Sequence, residues 1–235
     1  MTVRTLVVIP TYNEAPNVAR VINGALKQDV HILIIDDNST DGTKDIVRSF
    51  LDSQRVFMLE RPSKLGLGTA YVAGFRWGLD KGYDLFIEMD ADNSHNPEAL
   101  PFFMHKIAEG NDMVVGSRYL KNTISVVGWD FKRLLISKFG NWYASTFLGL
   151  KQFSDLTSGY RCYTKKALTE INLDRVKSNG YAFQIEMVYR AYKMGLKITE
   201  MPIIFYEREG GGSKMSNKIV REAVMLPFRL RLNKL

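Results

Sequence analysis

Short apolar runs alternate with amphipathic stretches along the first half of the chain. Residues 6–9, 31–35, 55–59, 85–89 and 113–115 are compact apolar segments that read as strands. Residues 18–26, 43–51, 69–79 and 98–107 lie between them and carry helix-compatible spacing. This alternation predicts the α/β class, a mostly parallel sheet flanked by helices. The second half is less regular: 131–148 and 183–194 predict helices, and 198–205 an extended segment broken by Pro202. The run Arg208-Glu209-Gly210-Gly211-Gly212-Ser213-Lys214 punctuates the chain, separating a main domain, 1–212, from an extension, 213–235.

Polar residues gather where the strands end. Thr11-Tyr12-Asn13-Glu14, Asp36-Asp37-Asn38-Ser39 and Asp90-Ala91-Asp92 each follow an apolar run. In open α/β sheets ligands collect at the C-terminal strand edge, so these distant segments are expected to converge. Asp90 and Asp92 share one side of an extended chain, and paired carboxylates suit Mg²⁺ or Mn²⁺ against a diphosphate; an Asx turn closing the strand is the alternative. Asp37 is expected to meet a ligand and Asp41 to cap the next helix. Lys64-Leu65-Gly66-Leu67-Gly68 is either a phosphate contact or a tight helix start, and lacks the Walker pattern.

A second set of polar groups points to an anion. Arg118 follows the fifth apolar run, while Arg133 and Ser137 stand four residues apart on one helix face. In Asp155-Leu156-Thr157-Ser158-Gly159-Tyr160-Arg161, Asp155 either orients an acceptor or sugar or belongs to a polar support network. Arg161 either binds phosphate or locks Asp155. Gln184 and Glu186 are candidates for sugar hydroxyls. The three histidines are not spaced as a metal site, and no Gly-x-Ser-x-Gly elbow supports hydrolase chemistry.

Composition narrows the partners. At 235 residues and 46% hydrophobic content the chain buries a substantial core. A single cysteine, Cys162, excludes an internal disulfide and a Cys-rich zinc site and fits a reducing compartment. No secretory leader and no membrane-spanning helix are read. The formal charge of +7 favours an anionic partner, and the extension interleaves Lys218, Arg221, Arg229 and Arg231 with apolar residues, as a basic amphipathic membrane-surface or docking segment does. No nucleic-acid recognition element accompanies that charge.

Taken in order, Val8-Ile9-Pro10-Thr11-Tyr12-Asn13-Glu14, the Asp36 to Thr43 stretch, the Gly66 and Gly68 segment, Asp90-Ala91-Asp92 and the Asp155 to Arg161 stretch resemble the family 2 glycosyltransferases of GT-A type. The resemblance is to those that act as dolichyl or polyprenyl phosphate mannose synthases, and it spans nearly the whole chain. It implies a GT-A-like, Rossmann-related fold. It places Pro10, Thr11, Tyr12, Glu14, Asp37, Lys64, Ala91 and Arg208 about the nucleotide and makes Asp90 and Asp92 the ligands of Mg²⁺ or Mn²⁺. Ser94 stands where some relatives carry Gln, so only two side-chain metal contacts carry over. Arg118, Arg133, Ser137 and Lys214 match acceptor-phosphate positions, and the segment of Arg208 and Lys214 is expected to close over the reactants.

The activity implied is inverting transfer of mannose from GDP-mannose to dolichyl or polyprenyl monophosphate, with Asp155 as an orienting group among the catalytic residues. The alternatives are transfer of glucose or another sugar, or noncatalytic nucleotide or lipid binding. The resemblance further implies work at the cytosolic face of a membrane, as a peripheral protein or beside a separate membrane-anchoring subunit.

Overall fold

The computed structural model describes residues 3–207 and 217–232. Its strands are β1 (Thr5–Thr11), β2 (His31–Asp36), β3 (Val56–Glu60), β4 (Leu85–Glu88), β5 (Met113–Ser117), β6 (Val126–Val127), β7 (Arg161–Thr164), β8 (Ile198–Pro202) and β9 (Phe205–Tyr206). The helices are α1 (Val18–Leu26), α2 (Thr43–Arg48), α3 (Leu67–Asp80), α4 (Leu100–Ala108), α5 (Phe131–Leu148), α6 (Lys165–Ile171), α7 (Gly180–Lys193) and α8 (Asn217–Arg231).

Seven strands form one sheet in the order β3-β2-β1-β4-β7-β5-β8. All neighbours are parallel except β7, which runs antiparallel between β4 and β5. The sheet is mostly parallel, as the strand pattern predicts, and has the Rossmann-like GT-A arrangement that the resemblance implies. The predicted strands and helices of the first half all form, although α2 is shorter than expected and gives way to a 3₁₀ turn at Leu51–Ser53. β7 and α6 escape the pattern, because Arg-Cys-Tyr-Thr is too brief and opens on a charged residue. Tertiary contacts make it a strand: Arg161 is fully buried and gives Nε to Ser158 O at 2.8 Å, Nη1 to Gln184 O at 2.6 Å and Nη2 to Leu156 O at 2.7 Å. Both expected roles for Arg161, phosphate binding and locking Asp155, therefore give way to holding main-chain carbonyls.

Apolar layers cover both sheet faces, as buried strands require. One contains Leu6, Val8, Phe75 and Phe86, the other Val7, Ile9, Ile22 and Ile34. α3 and α7 meet closely because Gly68 has no side chain; a Cβ there would lie 2.4 Å from Ser178 O. The helix-start reading of the glycine segment thus has a packing reason.

The boundary expected at 212/213 lies outside the described residues, as do Arg208 and Lys214. α8 packs on α5 and α7, with Leu226 and Leu230 buried in the core. No helix among the described residues is long and apolar enough to cross a membrane.

Candidate active site

Hydrogen bonds sew together the loops after β1, β2 and β3. Thr11 Oγ1 donates to Asp36 Oδ2 at 2.8 Å, and Ser39 donates to the same carboxylate through its amide and hydroxyl at 2.8 and 2.6 Å. Asp36 is therefore spent on loop geometry. Asp41 accepts from Thr43 N at 3.1 Å and from Ala15 N at 3.0 Å, so it caps the start of α2 and latches the first loop. Burial works against its ionised form, but these bonds outweigh it and hold its pKa below the usual range.

Asp37 forms a buried ion pair with Arg61, whose other nitrogens reach Thr69 Oγ1 at 2.8 Å and Gly66 O at 3.2 Å. Arg61 was missed in the sequence, although it follows β3 at the same strand edge as the recognised residues. Lys64 lies with its Nζ 4.1 Å from the centre of the Tyr12 ring. Glu14 is half-buried beside it in sequence, its amide bonded to Thr43 Oγ1 at 2.9 Å, and Pro10 sits in register with Ile35. Pro10, Thr11, Tyr12, Glu14, Asp37 and Lys64 thus belong to one end of the sheet.

The acidic pair lies where β4 ends. Asp90 leaves its side chain 29% exposed, accepts from Tyr71 Oη at 3.3 Å and gives its amide to His95 Nδ1 at 3.0 Å. Asp92 is buried, with Oδ1 receiving Ser94 N at 3.1 Å and Ser94 Oγ at 2.6 Å; Ala91 between them is buried in the core. Ser94 therefore aligns Asp92. Because Nδ1 accepts from Asp90, the neutral His95 ring carries its proton on Nε2, which has no hydrogen-bond partner among the described residues and stands 3.9 Å from Asp90 Oδ2. Burial, reinforced by Arg118 and opposed by Asp92, drives the His95 pKa down to about 4.

Among the described residues no three His, Cys, Asp or Glu side chains gather in a metal-binding group. Two carboxylates at a strand end nevertheless fit a hard divalent cation whose other ligands are diphosphate oxygens and water. The donor set is all oxygen, and the Asp90 carboxylate faces outward.

Arg118 and Asp155 form a buried bidentate pair, with Nε to Oδ2 at 2.6 Å and Nη2 to Oδ1 at 2.7 Å. Thr157 N and Ser158 N also donate to Asp155 Oδ1, at 3.2 and 3.1 Å. Burial alone would raise the Asp155 pKa, but Arg118 outweighs it and the value falls below the usual range. Of the two roles expected for Asp155, orienting an acceptor or sugar and belonging to a polar support network, its contacts match the second: it fixes Arg118. Glu186 is likewise committed, to Arg190 Nε at 2.7 Å and Ser178 N at 3.1 Å, and is not available for a sugar.

Trp129 joins the two arginines. Its ring centre lies 5.4 Å from the Arg118 guanidinium carbon and 4.3 Å from that of Arg133. Arg133 Nη1 also donates to Glu207 Oε1 at 3.0 Å. Ser137 accepts from Tyr119 Oη at 2.7 Å, and Lys138 Nζ lies 4.6 Å from the same Tyr119 ring. Trp129, Tyr119 and Lys138 went unread because nothing in their spacing marks them; the fold of 117–130 against α5 brings them together. Phe205 closes the remaining distance, with ring centres 5.5 Å from both His95 and Trp129. The acidic pair and the arginine cluster therefore stand on opposite sides of one aromatic contact.

An acidic pair at a strand end and an adjacent cation cluster thus stand together on a mostly parallel α/β sheet. Residues 6–171 match the Glycosyl transferase family 2 model, and the chain belongs to that family. Within it, the chain is closely related to polyprenyl and dolichyl phosphate mannose synthases. It is 45% identical over 228 residues to the polyprenol monophosphomannose synthase of Mycolicibacterium smegmatis, covering 95% of this chain and 85% of that one. It is 44% identical over 226 residues to the undecaprenyl-phosphate mannosyltransferase of Micrococcus luteus, covering 94% and 91%. Among solved structures, glucosyl-3-phosphoglycerate synthase from Mycobacterium tuberculosis with Mn²⁺, UDP and glucosyl-3-phosphoglycerate matches at TM-score 0.68 and 18% identity, over 98% of this chain and 80% of that chain. This last likeness is one of fold.

Proposed function

We propose that this enzyme transfers mannose from GDP-mannose to a dolichyl or polyprenyl monophosphate, releasing GDP and forming a β-linked mannosyl phosphate lipid. The observation that carries this reading is the contact of His95, Phe205 and Trp129, which sets Asp90 beside Arg118 and Arg133. The identity with two lipid-phosphate mannosyltransferases supports the choice of donor and acceptor.

In this reading the loops of Tyr12, Glu14, Asp37 and Lys64 hold the nucleotide, and Asp90 and Asp92 hold Mg²⁺ or Mn²⁺ with the diphosphate. The bound cation supplies positive charge where negative charge develops on departing GDP. Arg118 and Arg133 with Ser137 bind the acceptor phosphate and offset its charge as it approaches the donor. Glu207 accepts from Nη1 of Arg133 alone, so the acceptor phosphate takes the remaining guanidinium donors or displaces that carboxylate. An ionised phosphate oxygen attacks the anomeric carbon as the bond to GDP breaks, so one displacement inverts the centre and no protein base is needed. Asp155, saturated by hydrogen bonds, acts by holding Arg118 in place.

The exposed faces support work at a membrane surface. Along α5, Phe131, Leu135, Phe139 and Trp142 form a stripe at helical spacing, with Phe131 74% and Trp142 60% exposed. Val224, Met225 and Phe228 of α8 are exposed nearby, and Phe228 packs on Phe147 of α5 with ring centres 5.0 Å apart. The stripe lies on the helix that carries Arg133 and Ser137, so a headgroup phosphate would reach the arginines while the prenyl chain stays in lipid.

The test is transfer of label from GDP-mannose into an organic-extractable product with detergent-dispersed polyprenyl phosphate and Mg²⁺ or Mn²⁺. Product that disappears with EDTA, and falls at least roughly 100-fold in Asp92→Asn while the variant stays folded, is expected. Transfer from another sugar nucleotide alone would reassign the donor, and binding without turnover of any donor would refute the enzyme reading.

A further inference from the structure

Tyr119 stands between the two elements that supply the cation cluster. It follows Arg118 just past β5, is 4% exposed, and reaches α5 by giving its hydroxyl proton to Ser137 Oγ at 2.7 Å. Its ring centre lies 5.3 Å from the Arg118 guanidinium carbon and 4.6 Å from Lys138 Nζ, so one cation from each element flanks the ring. Burial raises its pKa above the usual phenol range against the opposing pull of Arg118 and Ser137, which keeps the phenol a neutral donor near pH 7.

Two hydroxyls that share one hydrogen bond carry two protons between them, and the bond uses one. Among the described residues neither oxygen gives a proton to any other group. Were Ser137 the donor, the remaining proton would belong to the buried Tyr119, at the cost of an unpaired interior donor. With Tyr119 as donor it belongs to Ser137, which is half-buried and open to a ligand. The pair therefore holds out a single hydroxyl proton, one turn of α5 beyond Arg133. The backbone beneath that hydroxyl is fixed separately. Asn141 Nδ2 donates to Ser137 O and to Thr157 Oγ1, each at 3.0 Å, and Thr157 Oγ1 also receives Arg118 Nη2 at 2.8 Å. α5 thus stays tied to the support of Arg118 without Tyr119, whose hydroxyl controls only where the Ser137 proton points.

We propose that Tyr119 is a positioning residue for the acceptor: its hydroxyl turns Ser137 so that the free proton meets a phosphate oxygen held by Arg118 and Arg133. The inference rests on the lipid-phosphate reading above. A hydrogen bond from a hydroxyl to an ionised phosphate is of the stronger, charge-assisted kind. A proton aimed in advance also need not be ordered when the acceptor arrives, so the arrangement acts on acceptor binding.

Tyr119→Phe in the full chain removes the hydroxyl and keeps the ring between Arg118 and Lys138. The expected result is a melting temperature within about 5 °C of the parent and a roughly three- to tenfold rise in KM for detergent-dispersed polyprenyl phosphate, with KM for GDP-mannose and inhibition by GDP unchanged. A purely structural loss would instead lower the amount of active enzyme, and with it kcat, while leaving both KM values in place. Because Tyr119 acts through Ser137, adding Tyr119→Phe to Ser137→Ala should raise the acceptor KM no further than Ser137→Ala does alone. An unchanged acceptor KM in Tyr119→Phe would overturn the proposal, as would a parallel rise in KM for GDP-mannose or losses that multiply in the double variant. A parent that transfers mannose to no lipid phosphate would instead defeat the underlying reading, and is distinguishable because it needs no variant.

Discussion

Replacing Asp155 by Asn keeps the shape of the side chain and removes its charge, stranding Arg118 in the interior. Arg118 is 4% exposed and Asp155 fully buried, so neither charge has solvent to fall back on. Removing one partner from such a pair costs about 3–5 kcal/mol, because the survivor remains desolvated without a counter-charge. For a chain of 235 residues each kcal/mol moves the melting temperature by about 2–4 °C, so Asp155→Asn should melt roughly 6–20 °C below the parent. The double variant Arg118→Met with Asp155→Asn removes both charges while the Asn oxygen still accepts from Thr157 N and Ser158 N, and should recover most of that loss while staying inactive, since no guanidinium remains at 118 for the acceptor phosphate.

The same pair predicts a pH signature. The folded carboxyl of Asp155 titrates below its usual range because Arg118 outweighs burial. Its stabilising contribution is therefore present above the unfolded pKa and is lost as pH falls through the lowered folded value. Urea unfolding and thermal melts at pH 7 and in steps below about pH 5 read both effects. A variant within about 1 kcal/mol of the parent at pH 7, the scale of an exposed ion pair, would refute the claim that this pair organises the interior.

Arg133→Ala removes a partly exposed pairing with Glu207 and should cost at most about 1 kcal/mol in urea unfolding, while raising KM for the lipid phosphate about tenfold and leaving KM for GDP-mannose unchanged; a rise in both constants would detach Arg133 from the acceptor. Burial, only partly opposed by Arg161 and Gln184, raises the Glu88 carboxyl from 4.5 to about 7. Its contribution is full below the unfolded value and lost as pH rises through the folded one, so Glu88→Gln should remove a decline on the order of 3 kcal/mol in unfolding free energy between acid and neutral pH. An equally steep decline in the variant would contradict that. Phe139→Glu with Trp142→Glu should abolish sedimentation with anionic vesicles and leave GDP binding intact; a parent that does not sediment would assign the stripe to a separate anchoring subunit.

Much of the donor side was legible in the residues themselves. Apolar runs such as 31–35 form strands wherever they are buried on both faces, and their ends carry Asp36, Asp37, Asp90 and Asp92 to one edge of the sheet. The division of labour among those acids was not legible. Asp36 and Asp41 hold loops and Asp37 pairs with Arg61, while Asp90 keeps a partly exposed carboxylate, because hydrogen-bond partners come from segments 24 to 26 residues away or from a neighbouring loop.

The acceptor side depended more heavily on the tertiary fold. Asp155 and Arg118 lie 37 positions apart, and β7 becomes a central strand only because β4 and β5 flank it. Trp129 binds both arginines into one cluster through a loop that has no periodic pattern. Local sequence determines which segments bury themselves and which residues stand at their ends, since hydrophobic spacing acts over a few residues. Which charge meets which partner is decided by long-range packing, where the cost of leaving a buried polar group unpaired selects one arrangement.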